Sequence, residues 1–208
     1  KPLIKEPKGI EIVHTHVSVE MHEAPSSALR KKRDSSMNRG FELMKAGAVQ
    51  AVVTAGNSGA ALAFAIFTLG RIGMVDRPAI ATLHPNTAGG ITVLMDAGGN
   101  VDCKPAHLVQ FAIMGDAFVR SVFGIKSPRI GLLSNGEEES KGNELTREVH
   151  GLIKTMDLNY IGYVEGTDLN NGRADVVICD GFVGNVALKI SEGTAESLLS
   201  FFKQNVEK

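Results

Sequence analysis

The chain has 208 residues, 43% of them hydrophobic, with 22 Lys and Arg against 23 Asp and Glu and a formal net charge of -1. That length buries a sizeable core, and the near-neutral balance argues against a general nucleic-acid binder. No signal peptide or apolar run of about 18 residues is present, and two separated cysteines, Cys103 and Cys179, without CxxC or Cys/His spacing point to a reduced cytoplasmic setting and no metal site. In chain order, Ile10 to His14 reads as a short strand and Ser36 to Lys45 as a helix. Ala48 to Gly56 is nearly all apolar, as a central parallel strand covered on both faces requires. Ala60 to Leu69 carries no polar stripe, which predicts a helix buried against sheet, neighbours or a second subunit. Strands follow at Ala79 to Leu83 and Ile91 to Met95, then a helix from Pro105, at a first helical position, to about Phe123. Further strands are expected at Ile130 to Leu133, Tyr160 to Val164 and Val176 to Cys179, with a helix from Glu144 to Lys154 between the first two. An amphipathic helical run starts near Val186 and is still open at Lys208. With Lys1 in place of a Met, it predicts a fragment of a longer chain, a single α/β domain over residues 1–208. Repeated strand, helix, strand units predict an α/β fold, a mostly parallel sheet with helices on both faces that binds ligands at the carboxyl ends of its strands.

The strand ends therefore carry the chemistry. AGNSGA, Ala55 to Ala60, closes an apolar run and opens a helix, so Gly56, Asn57, Ser58 and Gly59 present backbone N–H groups at the positive end of a helix dipole, where a phosphate can sit. The alternative is that Gly56 and Gly59 serve only a tight turn and close helix packing. DAGGNVDCKP from Asp96, SNGEEESKGNE from Ser134, VEGTD from Val164 and DGFVGN from Asp180 add Asn100, Lys104, Lys141 and Asn185. Asn amides, N–H groups and a Lys ammonium converging on one crevice could bind a phosphate and polarise a carbonyl. Lys104 and Lys141 also read as solvated loop cations, and Asp96, Asp102 and Asp180 as backbone caps rather than Mg2+ ligands. Cys103 beside Lys104 admits a thiolate nucleophile, against the commoner packed cysteine. Ser58 as a nucleophile has no partner His identifiable from sequence. His84 and His107 are the histidine candidates for acid/base work, weighed against packing, and His14 and His16 read as an exposed face. Arg30, Lys31, Lys32 and Arg33 concentrate positive charge, either as a solvated face or as a landing site for an acidic partner, while Ser35 and Ser36 read either as helix caps or as further hydrogen-bond donors to a phosphate.

The ordered set AGNSGA, DAGGNVDCKPAHLVQFAIMG, KGNELT, VEGTD and DGFVGNVALKISEGT resembles the bacterial phosphate acyltransferases of phospholipid synthesis, from about Ser26 to Glu192. The resemblance implies transfer of a long-chain acyl group from acyl carrier protein to inorganic phosphate, giving acyl phosphate, with no cofactor. It also implies a three-layer αβα fold similar to phosphotransacetylases and isopropylmalate dehydrogenases, a homodimer, a cytoplasmic location and peripheral membrane association. Phosphate is itself an anionic nucleophile, so the protein has only to hold it, position the thioester and stabilise the oxyanion, where one good donor contributes about 3 to 4 kcal/mol. On this reading Asn57, Lys104 and Asn185 are catalytic, and Gly56, Asn57, Ser58, Gly59 and Asn100 hold the phosphate. Arg30, Lys31, Lys32 and Arg33 receive the acidic carrier. Two other readings stay open, a phosphotransacetylase using short-chain acyl-CoA and a non-catalytic carrier-binding or scaffold protein. The absence of GxSxG disfavours a serine hydrolase, and that of GxGxxG with a following acidic residue a nicotinamide dehydrogenase.

Overall fold

The computed structural model of the protein describes residues 9–206. They divide between two units, one ending at Ile72 and one starting at Gly73. The first unit is built on three helices, α1 (Pro25–Lys31), α2 (Ser36–Lys45) and α3 (Ser58–Leu69). Each start has a local cause: Pro25 occupies the first turn of α1, the Ser35 hydroxyl accepts from Asn38 N ahead of α2, and the Asn57 side chain caps α3. Their facing sides bury Ala28, Met37, Phe41, Ala60 and Phe64, with Val52 packed alongside.

Two expected strands in this unit do not form. Ile10 to His14 and Ala48 to Gly56 are in no ladder, and the one β-bridge here joins Val17 to Ser35. An apolar run signals burial, but a strand needs a neighbouring strand to satisfy its N–H and C=O groups. Among the described residues the first unit supplies none, and Val53, in the middle of the run, is 97% exposed.

The second unit holds a five-stranded sheet made of β1 (Ala81–Pro85), β2 (Ile91–Met95), β3 (Ile130–Leu133), β4 (Tyr160–Val164) and β5 (Val176–Ile178). The spatial order is β1, β2, β5, β3, β4; β1 runs antiparallel to β2 and every other pair is parallel, so the expected mostly parallel sheet is present. The helices are α4 (Pro105–Phe123), α5 (Glu144–Ile153), α6 (Asp168–Asn171) and α7 (Gly181–Val206). Side chains alternate across the strands. Val93, Met95, Val176 and Ile178 meet Leu108, Phe111 and Ala112 of α4 and the Val149 side of α5, whereas Leu94 and Val177 face Leu169 of α6 and Ala187 of α7. Helices thus cover both faces, giving three layers. α4 lies so close to the sheet that a Cβ on its Gly115 would fall 2.5 Å from Val176 Cγ1. The last helix begins at Gly181 rather than near Val186, because Gly181 and Gly184 serve packing and not a turn.

Candidate functional site

In the second unit the loop after β2 and the start of α7 close around one carboxylate. Asp96 is fully buried; its Oδ1 accepts from Ile80 N at 2.8 Å and Gly99 N at 3.0 Å, and its Oδ2 from Asn100 Nδ2 at 2.7 Å. These bonds offset the cost of removing a carboxyl group from water and fix the DAGGN turn. Asn100 Nδ2 also donates to Pro78 O at 2.8 Å, and Gly181 N donates to Asn100 O at 2.8 Å. A Cβ on Gly181 would sit 2.7 Å from Asn100 backbone atoms, and one on Gly184 would collide with the Asp96 carbonyl. Asp180 caps the helix, accepting at Oδ1 from Phe182 N at 2.9 Å and Val183 N at 3.0 Å. Asn185, one turn on, is exposed and lies against Gly98, whose φ of 102° excludes most other residues.

Beside this junction, at the carboxyl ends of β3 and β5, is a cavity of about 410 Å³. Ser134, Asn135, Asn143, Thr146, Cys179 and Asp180 line it with Val183. Asn135 Oδ1 accepts from Gly142 N at 2.9 Å, which folds the β3–α5 loop back on itself, and Asn143 caps α5 by accepting from Thr146 N at 2.9 Å. A concave site of hydroxyls, amides and a helix N-terminus at parallel strand ends has the donors an oxyanion or phosphate needs. Burial keeps both thiols here protonated: Cys103 is pushed up to about 11 and Cys179 further. Cys103 donates to Asn100 O at 3.3 Å and so behaves as a packed cysteine.

The sequence pattern of the family described as fatty acid synthesis protein matches residues 2–208. The chain belongs to this family. It is 55% identical over 201 residues to the phosphate acyltransferase of Geobacter sulfurreducens, covering 96% of this chain and 58% of that one. To the phosphate acyltransferase of Citrifermentans bemidjiense it is 57% identical over 202 residues, 96% of this chain and 57% of that one. The chain therefore spans less than two thirds of the length of these relatives. In fold it is similar to a phosphotransacetylase from Streptococcus pyogenes, with a TM-score of 0.58 and 20% identity over 82% of this chain and 58% of that one.

The residues singled out in sequence fall in both units of this family member. Asn57 belongs to the first, where its side chain is committed to the chain: Oδ1 accepts from Ala60 N at 3.0 Å, and Nδ2 donates to the carbonyls of Glu20, Met21 and Glu23 at 3.3, 3.0 and 2.9 Å. Gly56 N donates to Thr54 Oγ1 at 3.1 Å, while the N–H groups of Ser58 and Gly59 have no partner among the described residues. Both glycines also have packing reasons, since a Cβ would meet Met37 at Gly56 (2.8 Å) and Pro25 at Gly59 (2.9 Å). Asn100, Lys104 and Asn185 belong to the second unit. Lys104 is exposed and precedes α4, and its N–H donates to His107 Nδ1 at 3.0 Å. His107 is therefore a helix cap, and burial lowers its pKa. His84 is buried with Nε2 3.3 Å from Thr82 Oγ1, and burial lowers its pKa as well. Arg30, Lys31 and Arg33 are exposed, but Lys32 pairs with Glu23 at 2.7 Å. Lys141 stands 4.0 Å from Glu138 at the exposed surface. Ser134, Asn135, Asn143 and Thr146 line the cavity without having been singled out as site residues. Their signal was available, because the Ser134 to Glu144 segment follows a strand and holds two Asn beside glycines.

Proposed function

We propose that the protein is part of an acyltransferase that moves a long-chain acyl group from acyl carrier protein to inorganic phosphate, releasing acyl phosphate for phospholipid synthesis. The observation that carries the proposal is the identity of more than half with proteins named phosphate acyltransferase over nearly the whole chain. In the reaction a phosphate oxygen attacks the thioester carbonyl, the tetrahedral oxyanion collapses, and the carrier thiolate leaves, taking up a proton. Phosphate supplies the nucleophile, which suits a site whose cysteines are held protonated. Within the first unit the N–H groups of Ser58 and Gly59, which have no partner among the described residues, are assigned with Gly56 as phosphate donors, and within the second unit the exposed Lys104 and Asn185 are assigned catalytic roles. Asn57 and Asn100 contribute by shaping the two loops that carry these donors. This reading includes a cytoplasmic homodimer with peripheral membrane association, whose contacts would cover the exposed Leu198, Leu199, Phe201 and Phe202 of α7; no described helix is long and apolar enough to cross a membrane.

The test is phosphate-dependent formation of acyl phosphate, trapped with hydroxylamine, from a long-chain acyl carrier protein thioester and the matching acyl-CoA in parallel. Product from the carrier thioester is expected. Product from acyl-CoA alone would replace the proposal with a phosphotransacetylase activity, and product from neither would leave carrier binding without catalysis.

A further inference from the structure

The four cations from Arg30 to Arg33 differ in their surroundings. Lys32 turns inward, where its ammonium meets Glu23 at 2.7 Å and donates to Ser18 O at 2.7 Å, so its charge is neutralised within the chain. Arg30 and Arg33 line a groove of about 720 Å³ among α1, α2 and α3, joined by Lys45 at the end of α2. Leu29, Phe64 and Phe67 line the same groove, and Phe67 is 74% exposed. Glu42 also reaches it but is held by Arg39 at 3.0 Å and Asn38 at 3.2 Å. Arg30, Arg33 and Lys45 have no carboxylate partner among the described residues; Arg30 bonds only the Ser26 carbonyl. Three available cations therefore border an apolar surface in a chain of net charge -1.

Their spacing decides what the groove suits. Arg33 lies just before α2 and Lys45 at its end, so the ten residues of the helix separate them by about 15 Å. One anionic headgroup cannot satisfy both. A helix with carboxylates on successive turns can, while its apolar side covers Leu29 and Phe67. We propose that this groove docks an acidic amphipathic helix of a protein partner. Resting on the functional reading above, the partner is acyl carrier protein.

The test titrates the full chain with acyl carrier protein at several salt concentrations, for the parent, R30E/R33E, K45E, F67S and the off-groove control K31E. Charge reversal at Arg30 and Arg33 is expected to weaken binding by about tenfold or more and to flatten its salt dependence, with K45E smaller in the same direction. F67S should weaken binding several-fold while keeping the salt dependence, and K31E should stay within about twofold of the parent. Parent-like binding by R30E/R33E, or an equal loss in K31E, overturns the proposal. So does binding of dodecyl phosphate that R30E/R33E abolishes while carrier binding is unchanged. Acyl phosphate turnover in the parent, with an unaltered carrier KM in R30E/R33E, would remove the docking site and leave the activity standing. Charge-sensitive carrier binding without turnover would do the reverse.

Discussion

The Asn57 amide makes four hydrogen bonds to the protein's own backbone, one accepted and three donated. Replacing it with Ala removes a helix cap and leaves carbonyls between Glu20 and Glu23 without a donor. Asn57→Ala is therefore expected to lower stability by about 2 kcal/mol, measured by chemical denaturation, with any loss of turnover following the loss of folded protein. A large loss of turnover at unchanged stability would return Asn57 to direct phosphate contact. Lys104 makes the opposite case: its exposed side chain has no partner among the described residues, so Lys104→Ala should leave the melting temperature unchanged while reducing turnover. The Cys103 thiol offers a check on the chemistry. Burial raises its pKa from 9.0 to about 11, so the thiolate is scarce at neutral pH. Alkylation of Cys103 should be slow there and accelerate by about tenfold per pH unit up to that value, and Cys103→Ala should retain activity. The raised pKa also means that the contribution of the protonated thiol to stability is complete below pH 9.0 and is lost as the pH rises through about 11.

At the level of elements, His107 ties the start of α4 by accepting from Lys104 N. Its folded pKa is lowered from 6.5, so the neutral ring contributes stability above about pH 6.5 that is lost as the pH falls through the folded value. His107→Ala should cost about 1 kcal/mol at pH 8 and leave a shallower acid dependence of the unfolding midpoint, although His84, shifted in the same direction, keeps part of that dependence. Two glycines of α7 provide a second comparison. Gly193→Ala meets open space and should stabilise the helix by about 0.5–1 kcal/mol, whereas Gly184→Ala meets the Asp96 backbone and should destabilise by about 1–3 kcal/mol. These glycines also explain what was and was not legible in the sequence. Periodicity and caps placed α2, α4, β2, β3 and β4 at their observed limits, and α5 to within its cap residue, because each is specified by its own residues. GFVGN read as a loop because glycine marks turns locally, and only the distant Asp96 to Asn100 backbone reveals that closeness is its purpose. Ala48 to Gly56 failed for the complementary reason, since pairing depends on a neighbour that no run of apolar residues encodes.

At the scale of the whole molecule, the two units differ in how they are held. The first relies on three helices and a small core of mostly Ala, Met and Phe, while the second has a sheet covered on both faces. Residues 70–78 join them without regular structure, and Ile72 and Met74 are 80% and 96% exposed. Limited trypsin treatment is expected to cut first at Arg71, since the Arg77–Pro78 bond resists trypsin, leaving a protected fragment that contains the sheet; early cleavage within α4 or α5 would contradict this ranking of local stability. The strand-end rule predicts ligand binding at the strand ends where the second unit has its cavity, and the resemblance read from the motifs agrees with the family to which the chain belongs. The polar lining from Ser134, Asn135, Asn143 and Thr146 emerged only when the β3–α5 loop was seen to fold back. The meeting of the DAGGN turn with the first turn of α7 has a further consequence for how this protein tolerates change. At Gly181 and Gly184 backbone touches backbone, so no flexible side chain of the DAGGN turn can yield to a substitution there, while Gly98 is fixed by its φ of 102°. A combinatorial library randomised at residues 96–100 and 181–185 together should thus recover glycine at 98, 181 and 184 in nearly every folded clone, while the exposed position 182 accepts almost any residue. The two stretches would drift through sequence space as a single locked word rather than as two independent ones.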